Sequence, residues 1–122
     1  MSDARPRAFD AETALRARLA ADLRVALKAR DAVAIPVLRS LIAALDNAGA
    51  VPTDGRYTPV FGLSGDVPRR DLSSTDIAGL LAAEAAERRA AIAAYESGGR
   101  QDAADRLRVE LLIIARYQTL DP

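Results

Sequence analysis

The residues of this chain that could do chemistry are Glu84 and Arg88, which lie four positions apart. At that spacing on a helix the two side chains meet and can form an ion pair. They fall in the middle of an apolar stripe that consists of Ile77, Leu80, Leu81, Ile92 and Tyr95. A charged pair in such a stripe is costly to bury unless its members are paired and hydrogen-bonded. The pattern therefore predicts a specified polar interior.

Two interpretations of this pair are open. In the first, which we favour, it is a salt bridge whose aliphatic stems pack on the core while the charged heads reach its edge. In the second, Glu84 and Arg88 belong to a polar site between helices, joined by Glu110 beside the apolar stripe of the last predicted helix. Carboxylates can do acid–base chemistry when their pKa values are driven apart. Because no nucleophile accompanies them, we predict a polar interior network of Glu84, Arg88 and Glu110 and no catalytic residue.

Two further sets of residues could bind an anion. Arg39 and Asn47 lie on one line of the second predicted helix, away from its apolar stripe. Arginine offers a planar fork of donors that suits a phosphate or a carboxylate. The second set is an arginine group that consists of Arg88, Arg89 and Arg100, with Arg69 and Arg70 on the preceding loop. The simpler interpretation of both sets is a solvated helix face of mixed charge, and no phosphate-binding glycine motif favours the other.

The composition argues against several classes of chemistry. The chain has no Cys and no His, so we expect no thiolate nucleophile, no imidazole base, no metal site and no cofactor. Its 17 basic and 17 acidic residues balance, which gives no bulk attraction to nucleic acid or to a membrane. No apolar run is long enough for a signal sequence or a membrane helix, so we expect a cytoplasmic protein. Lys28 is the only lysine among many arginines, which is typical of GC-rich bacterial codon usage.

Apolar residues at helical spacing predict a first helical hairpin. Its first helix should run from about Ala11 to Arg30, with Asp10 as its cap and an apolar stripe of Leu15, Leu19, Leu23, Ala26 and Leu27. The second helix should begin at the capping residue Asp31 and end near Ala48. Pro36 should lie in its first turn, and Gly49 lies where the C′ residue that follows a helix is expected.

A second hairpin is predicted in the other half of the chain. Ser73 and Asp76 have the spacing of a capping box at the start of the third helix. The fourth helix should run from about Gln101 to Leu120 and is apolar around most of its circumference. A helix of that kind is either central in its bundle or covered by a partner. The second possibility predicts a homodimer through this helix.

Glycine and proline punctuate the connection between the hairpins, residues 49–72, so no helix is expected there. A loop of that length in a small domain is commonly functional or disordered. Residues 1–10 are expected to form a flexible arm. The chain is thus predicted to be all-α, with a four-helix single domain over residues 11–122 in which a long Gly/Pro-rich loop joins two helical hairpins.

Several of these residues together resemble the YqeY-like family. The first half carries Lys28-x-x-Asp31, then Val37-Leu38-Arg39-Ser40-Leu41, Ala44 and Asn47. The second half carries Arg88-Arg89, Ile92, Tyr95, Gly98-Gly99-Arg100, Ala103-Ala104 and Glu110. The family is named for its similarity to the tail of the GatB subunit of the glutamine-dependent aspartyl/glutamyl-tRNA amidotransferase, a carbon–nitrogen ligase. The resemblance covers about residues 11–117.

The resemblance implies a non-catalytic binding or accessory module that acts on RNA or a tRNA-linked partner. Typical members continue into a second, three-helix domain, whereas this sequence stops near that point, so we expect a short form without the region linked to tRNA contact. The alternative is a protein–protein adaptor or a structural homo-oligomer with no RNA role. A small-molecule enzyme that uses Glu84, Arg88 and Glu110 ranks lowest.

Overall fold

A computed structural model of the chain describes residues 8–50 and 70–119. These residues form four helices, α1 (Ala8–Ala29), α2 (Ala34–Gly49), α3 (Ser74–Ser97) and α4 (Gln101–Gln118), and include no β-strand. The prediction of an all-α, four-helix single domain is confirmed. Most of the predicted loop, residues 51–69, lies outside the described residues, and so do residues 1–7 of the predicted arm.

The first hairpin differs from its prediction at three helix ends. Helix α1 begins at Ala8, so Asp10 lies inside its first turn and not at the cap. Alanine has the highest helix propensity, so a helix can extend through it past a potential cap. Helix α2 begins at Ala34, although Asp31 still satisfies the start of the helix, since its Oδ1 accepts the backbone N–H of Ala34 at 3.0 Å. Gly49 is the last residue of α2, and Gly99 is the only described glycine with a positive φ.

The capping box that was predicted for α3 is confirmed. The backbone N–H of Asp76 donates to Ser73 Oγ at 3.0 Å, and the backbone N–H of Ser73 donates to Asp76 Oδ2 at 3.0 Å. The hydrogen bond from the Ser73 backbone N–H to the Asp76 carboxylate is the main reason why the pKa of Asp76 lies below its ordinary value, and the Ser73 side chain adds to the shift. The start of α3 is therefore determined by a local sequence signal.

The core is formed by apolar side chains from all four helices, and Leu19, Leu41 and Ile114 are fully buried. Two residues of the predicted stripes are exposed instead, Leu27 at 44% and Tyr95 at 40%. Each lies in the last turn of its helix, next to the turn of its hairpin. No helix among the described residues is long and apolar enough to cross a bilayer.

Helix α4 is not central in the bundle. It packs chiefly on α3, and its side chains Ile113, Ile114 and Tyr117 are buried. Val109 and Leu112, in contrast, are 45% and 68% exposed. The face of α4 that carries Val109 and Leu112 is therefore exposed on the outside of the domain. We call it the open face of α4.

Tyr117 joins α4 to α1. The residue is 4% exposed, and its hydroxyl donates to Asp22 Oδ2 at 2.5 Å. Burial is the main reason why the pKa of Tyr117 lies well above its ordinary value, and the hydrogen bond to Asp22 adds to the shift. Charging this hydroxyl would leave two negative groups in contact at the packed surface of two helices.

Replacement of Tyr117 by phenylalanine is expected to lower the free energy of unfolding by about 1.5 kcal/mol, because Asp22 loses a partly buried donor. The folded state raises the pKa of Tyr117, so its stabilisation is complete below the unfolded pKa of 10.0 and is lost as the pH rises through the folded value. Urea unfolding at about pH 7 and about pH 11 measures both effects. Tyr95→Phe, at an exposed tyrosine, is the control and should retain the parent's alkaline loss. A Tyr117→Phe variant with that same loss would contradict the prediction.

Candidate functional site

Arg88 is the centre of a polar cluster that joins α2, α3 and α4. Its Nε donates to Glu110 Oε1 at 3.0 Å, and its Nη1 donates to Glu84 Oε1 at 3.2 Å. The same Nη1 lies 3.1 Å from the Glu84 carbonyl oxygen, and Nη2 lies 3.4 Å from Ser40 Oγ. We call Ser40, Glu84, Arg88 and Glu110 the Arg88 cluster. All three guanidinium nitrogens thus have acceptors in the chain.

The Arg88 cluster lies at the edge of the core. The side chains of Arg88, Glu84 and Glu110 are 12%, 19% and 18% exposed. The hydroxyl of Ser40 completes the cluster by donating to Glu84 Oε1 at 3.2 Å. Low exposure strengthens each of these interactions, and it also makes the loss of any one partner costly.

Local sequence explains most of this geometry. Glu84 and Arg88 are one turn apart on α3, and the short turn before α4 returns the chain so that Glu110 faces them. That turn is closed by Gly99, whose φ of 75° is left-handed, and by a hydrogen bond from the Arg100 N–H to the Tyr95 carbonyl at 2.8 Å. Glycine adopts this conformation without strain, which permits the tight reversal.

An open groove of about 510 Å³ adjoins the cluster, between the end of α2 and the first half of α3. Its lining consists of Ala44, Asn47, Ala48, Arg70, Asp76, Leu80, Ala83 and Glu84. Glu84 therefore belongs to both the groove and the Arg88 cluster. Arg70, which also lines the groove, is bound to the end of α2. Its backbone N–H donates to the Gly49 carbonyl at 3.0 Å, and its side-chain Nε donates to the Ala48 carbonyl at 3.2 Å.

The predicted anion-binding residues are not brought together into one site. Arg39 and Asn47 are both exposed on α2, but only Asn47 lines the groove. Arg89 is exposed on α3, and Arg100 is exposed beyond its end, about 16 Å further along the helix axis. Arg69 lies outside the described residues.

Arg88 and Arg100, two members of the predicted arginine group, already have partners within the chain. Arg88 is enclosed in its cluster, and Arg100 Nε lies 3.5 Å from Asp102 Oδ1. The Arg100 guanidinium also lies 5.8 Å from the centroid of the Tyr95 ring, within the range of a cation–π contact. Arg89, in contrast, is exposed and has no hydrogen bond or ion pair with residues 8–50 and 70–119.

A second polar network, which sequence reasoning missed, ties α1 to the rest of the domain. Arg16 Nε donates to Glu12 Oε2 at 2.8 Å, and Arg16 Nη1 donates to Asp46 Oδ1 at 2.6 Å. Glu12 Oε1 also accepts the backbone N–H of Leu72 at 3.1 Å. The i, i+4 spacing of Glu12 and Arg16 is a visible signal, but nothing local points to Asp46 or to Leu72.

The chemistry of these groups is that of a closed ion-pair network. Glu84 and Glu110 are both hydrogen-bonded to the Arg88 guanidinium, which joins the two carboxylates through one cation. Among residues 8–50 and 70–119, no group of three or more acidic, Cys or His residues could hold a metal ion.

Comparison with known proteins decides the family. A family model described as Yqey-like protein matches residues 16–120. The chain belongs to the YqeY-like family. The matched region spans the Arg88 cluster and the groove, so both lie within the family domain. Comparison with curated proteins and with solved structures gave no match.

Proposed function

We propose that this YqeY-like chain is a non-catalytic helical interaction module related to the tail of the amidotransferase GatB subunit. The observation that carries the proposal is the closure of the Arg88 cluster, in which all three guanidinium nitrogens bond within the chain. Such a cluster holds three helices together and offers a substrate no free acid–base pair. Binding is then left to the outer surface of the domain.

The proposed partner is RNA or a tRNA-linked protein, and a cytoplasmic setting follows from that partner. The resemblance to the GatB tail motivates this proposal, and exposed Arg89 and Arg100 are the residues that could reach phosphates. Arg88 is not expected to contribute, since its donors are occupied. With a formal net charge of zero, such binding depends on a few local contacts and should be weak and salt-sensitive.

Reversing the charges of Arg89 and Arg100 should remove binding to tRNA. The purified chain is expected to shift bulk tRNA in a gel at low salt, while Arg89→Glu/Arg100→Glu should not shift it. Losing two phosphate contacts should reduce the slope of log affinity against log salt by about 2. The matched control is Arg24→Glu/Lys28→Glu, which makes the same charge change on exposed residues of α1.

Each outcome of the tRNA titration decides one point. If the Arg89→Glu/Arg100→Glu variant no longer shifts tRNA while the control variant still does, the result supports Arg89 and Arg100 as the phosphate contacts. A shift that survives both variants places the contacts elsewhere and contradicts the role of Arg89 and Arg100. No shift by the parent chain at low salt removes RNA as a partner.

The alternative function is a protein–protein adaptor or a homo-oligomer with no RNA role. The specific observation in its favour is the open face of α4, where Val109 and Leu112 are 45% and 68% exposed. Adjacent exposed apolar side chains that are bordered by charged residues are typical of protein contact surfaces.

A further inference from the structure

Four residues form a single stripe along the open face of α4. They are Asp105, Val109, Leu112 and Arg116, which are spaced by four, three and four positions, and all of them are exposed. This spacing keeps successive side chains on one side of a helix. We call this set the α4 stripe.

The α4 stripe is complementary to a second copy of the same stripe that runs in the opposite direction. Asp105 lies four positions before Val109, and Arg116 lies four positions after Leu112, so the charges are placed symmetrically about the apolar centre and have opposite signs. We infer that the α4 stripe binds a second copy of this chain, with the two α4 helices antiparallel about a two-fold axis between Val109 and Leu112. This inference rests on the homo-oligomer alternative of the proposed function and specifies its surface, register and direction.

The antiparallel register forms two kinds of contact, each made twice by the symmetry. Val109 packs against Leu112 of the partner subunit, which covers the apolar centre. Asp105 lies beside Arg116 of the partner subunit, which pairs opposite charges at both ends. A parallel arrangement would instead place like charges together, and like-charge contacts oppose association.

Both charged groups have atoms free for this contact. Asp105 Oδ1 accepts from Gln101 Nε2 and from Arg108 Nη1, each at 2.8 Å, while Oδ2 has no hydrogen bond within the described part of the chain. The guanidinium of Arg116 has no ion-pair partner among residues 8–50 and 70–119. The apolar centre is small beside the roughly 800 Å² that each partner buries in a standard interface, so a weak dimer is expected.

Sedimentation equilibrium of the purified chain tests the inference. The parent should be monomeric when dilute and mostly dimeric at about 0.5 mM, as expected for a dissociation constant of tens of micromolar. Leu112→Asp should be folded and monomeric throughout that range. The matched control is Leu27→Asp, because Leu27 is also an exposed leucine, and it lies about 140° around α1 from Asp22, the residue that contacts α4.

A charge exchange tests the direction of the helices. Arg116→Glu should weaken the dimer at least about tenfold, since it places two acidic groups together at each end. Adding Asp105→Lys to that variant should restore association to near the parent value. Circular dichroism melting checks that every variant is folded.

The outcomes separate cleanly. Rescue by the charge exchange, together with a monomeric Leu112→Asp, supports the antiparallel dimer. A parent that stays monomeric at the highest concentration overturns it, and the stripe is then left to a different protein partner. Association that persists in Leu112→Asp, or a charge exchange that fails to rescue, also overturns it. Since these measurements contain no RNA, their failure leaves the tRNA proposal standing, and the gel shift decides that separately.

Discussion

Replacement of Arg88 by alanine is expected to lower the free energy of unfolding by about 3 kcal/mol. The substitution leaves Glu84 and Glu110 facing each other at the edge of the core without the guanidinium that pairs them. An orphaned charge of low exposure costs more than the intact pair contributes, which is why the effect should be large. Urea unfolding followed by far-ultraviolet circular dichroism measures it.

The control for this prediction is the next residue in the chain. Arg89→Ala removes an exposed arginine from the same turn of α3 and should change stability by no more than about 0.5 kcal/mol. Arg88→Lys keeps the charge but loses the fork of donors, so its loss of unfolding free energy should lie between those of Arg88→Ala and Arg89→Ala. This variant still tests the prediction if Arg88→Ala does not fold. Equal stability of Arg88→Ala and Arg89→Ala would show that the cluster does not stabilise the fold.

Replacing the whole cluster with apolar residues should be milder than removing its centre. In Glu84→Leu/Arg88→Leu/Glu110→Leu no charge is left unpaired, so its loss of stability should be smaller than that of Arg88→Ala. The structure shows that Glu110 has to be included, because Glu84→Leu/Arg88→Leu alone would still leave one carboxylate without its cation. A triple variant less stable than Arg88→Ala would contradict this account.

Leu72→Ala is expected to cost about 3 kcal/mol. Leu72 precedes α3 and belongs to no helix, yet its side chain is fully buried, and truncation would leave a cavity in the core. The matched control is Leu112→Ala, at a leucine that is 68% exposed, where a change within about 0.5 kcal/mol is expected at dilute concentrations at which the chain is monomeric. Thermal and urea unfolding compare the two variants. Similar losses at both positions would mean that Leu72 does not anchor the segment before α3.

Local signals predicted those parts of the protein that depend on neighbours in sequence. The capping box of Ser73 and Asp76 and the i, i+4 pair of Glu84 and Arg88 each lie within a single turn of helix. The family resemblance, which rests on motifs along the chain, was confirmed by the match over residues 16–120. The role of the candidate binding residues stays a prediction for the experiments above.

Two residues of the predicted core stripes lie on the surface of the domain instead. Apolar periodicity placed Leu27 and Tyr95 in the core stripes, and both are exposed. The periodicity identifies a face of a helix, but it does not specify which residues of that face the rest of the domain covers. The wide apolar surface of α4 left two placements open in the sequence, and only the packing shows that Val109 and Leu112 are on the outside.

The sequence by itself determined four helices, the cap of α3, the tight turn before α4 and the family, because helix formation, capping and turn closure depend on residues within a few positions of one another. Only the tertiary structure decided which distant residues meet. Ser40 joins Glu84, Asp46 joins Arg16, and Asp22 joins Tyr117 across 44, 30 and 95 positions. Such contacts depend on how whole helices pack, and helix periodicity specifies which face packs but not which partner it meets or at what height.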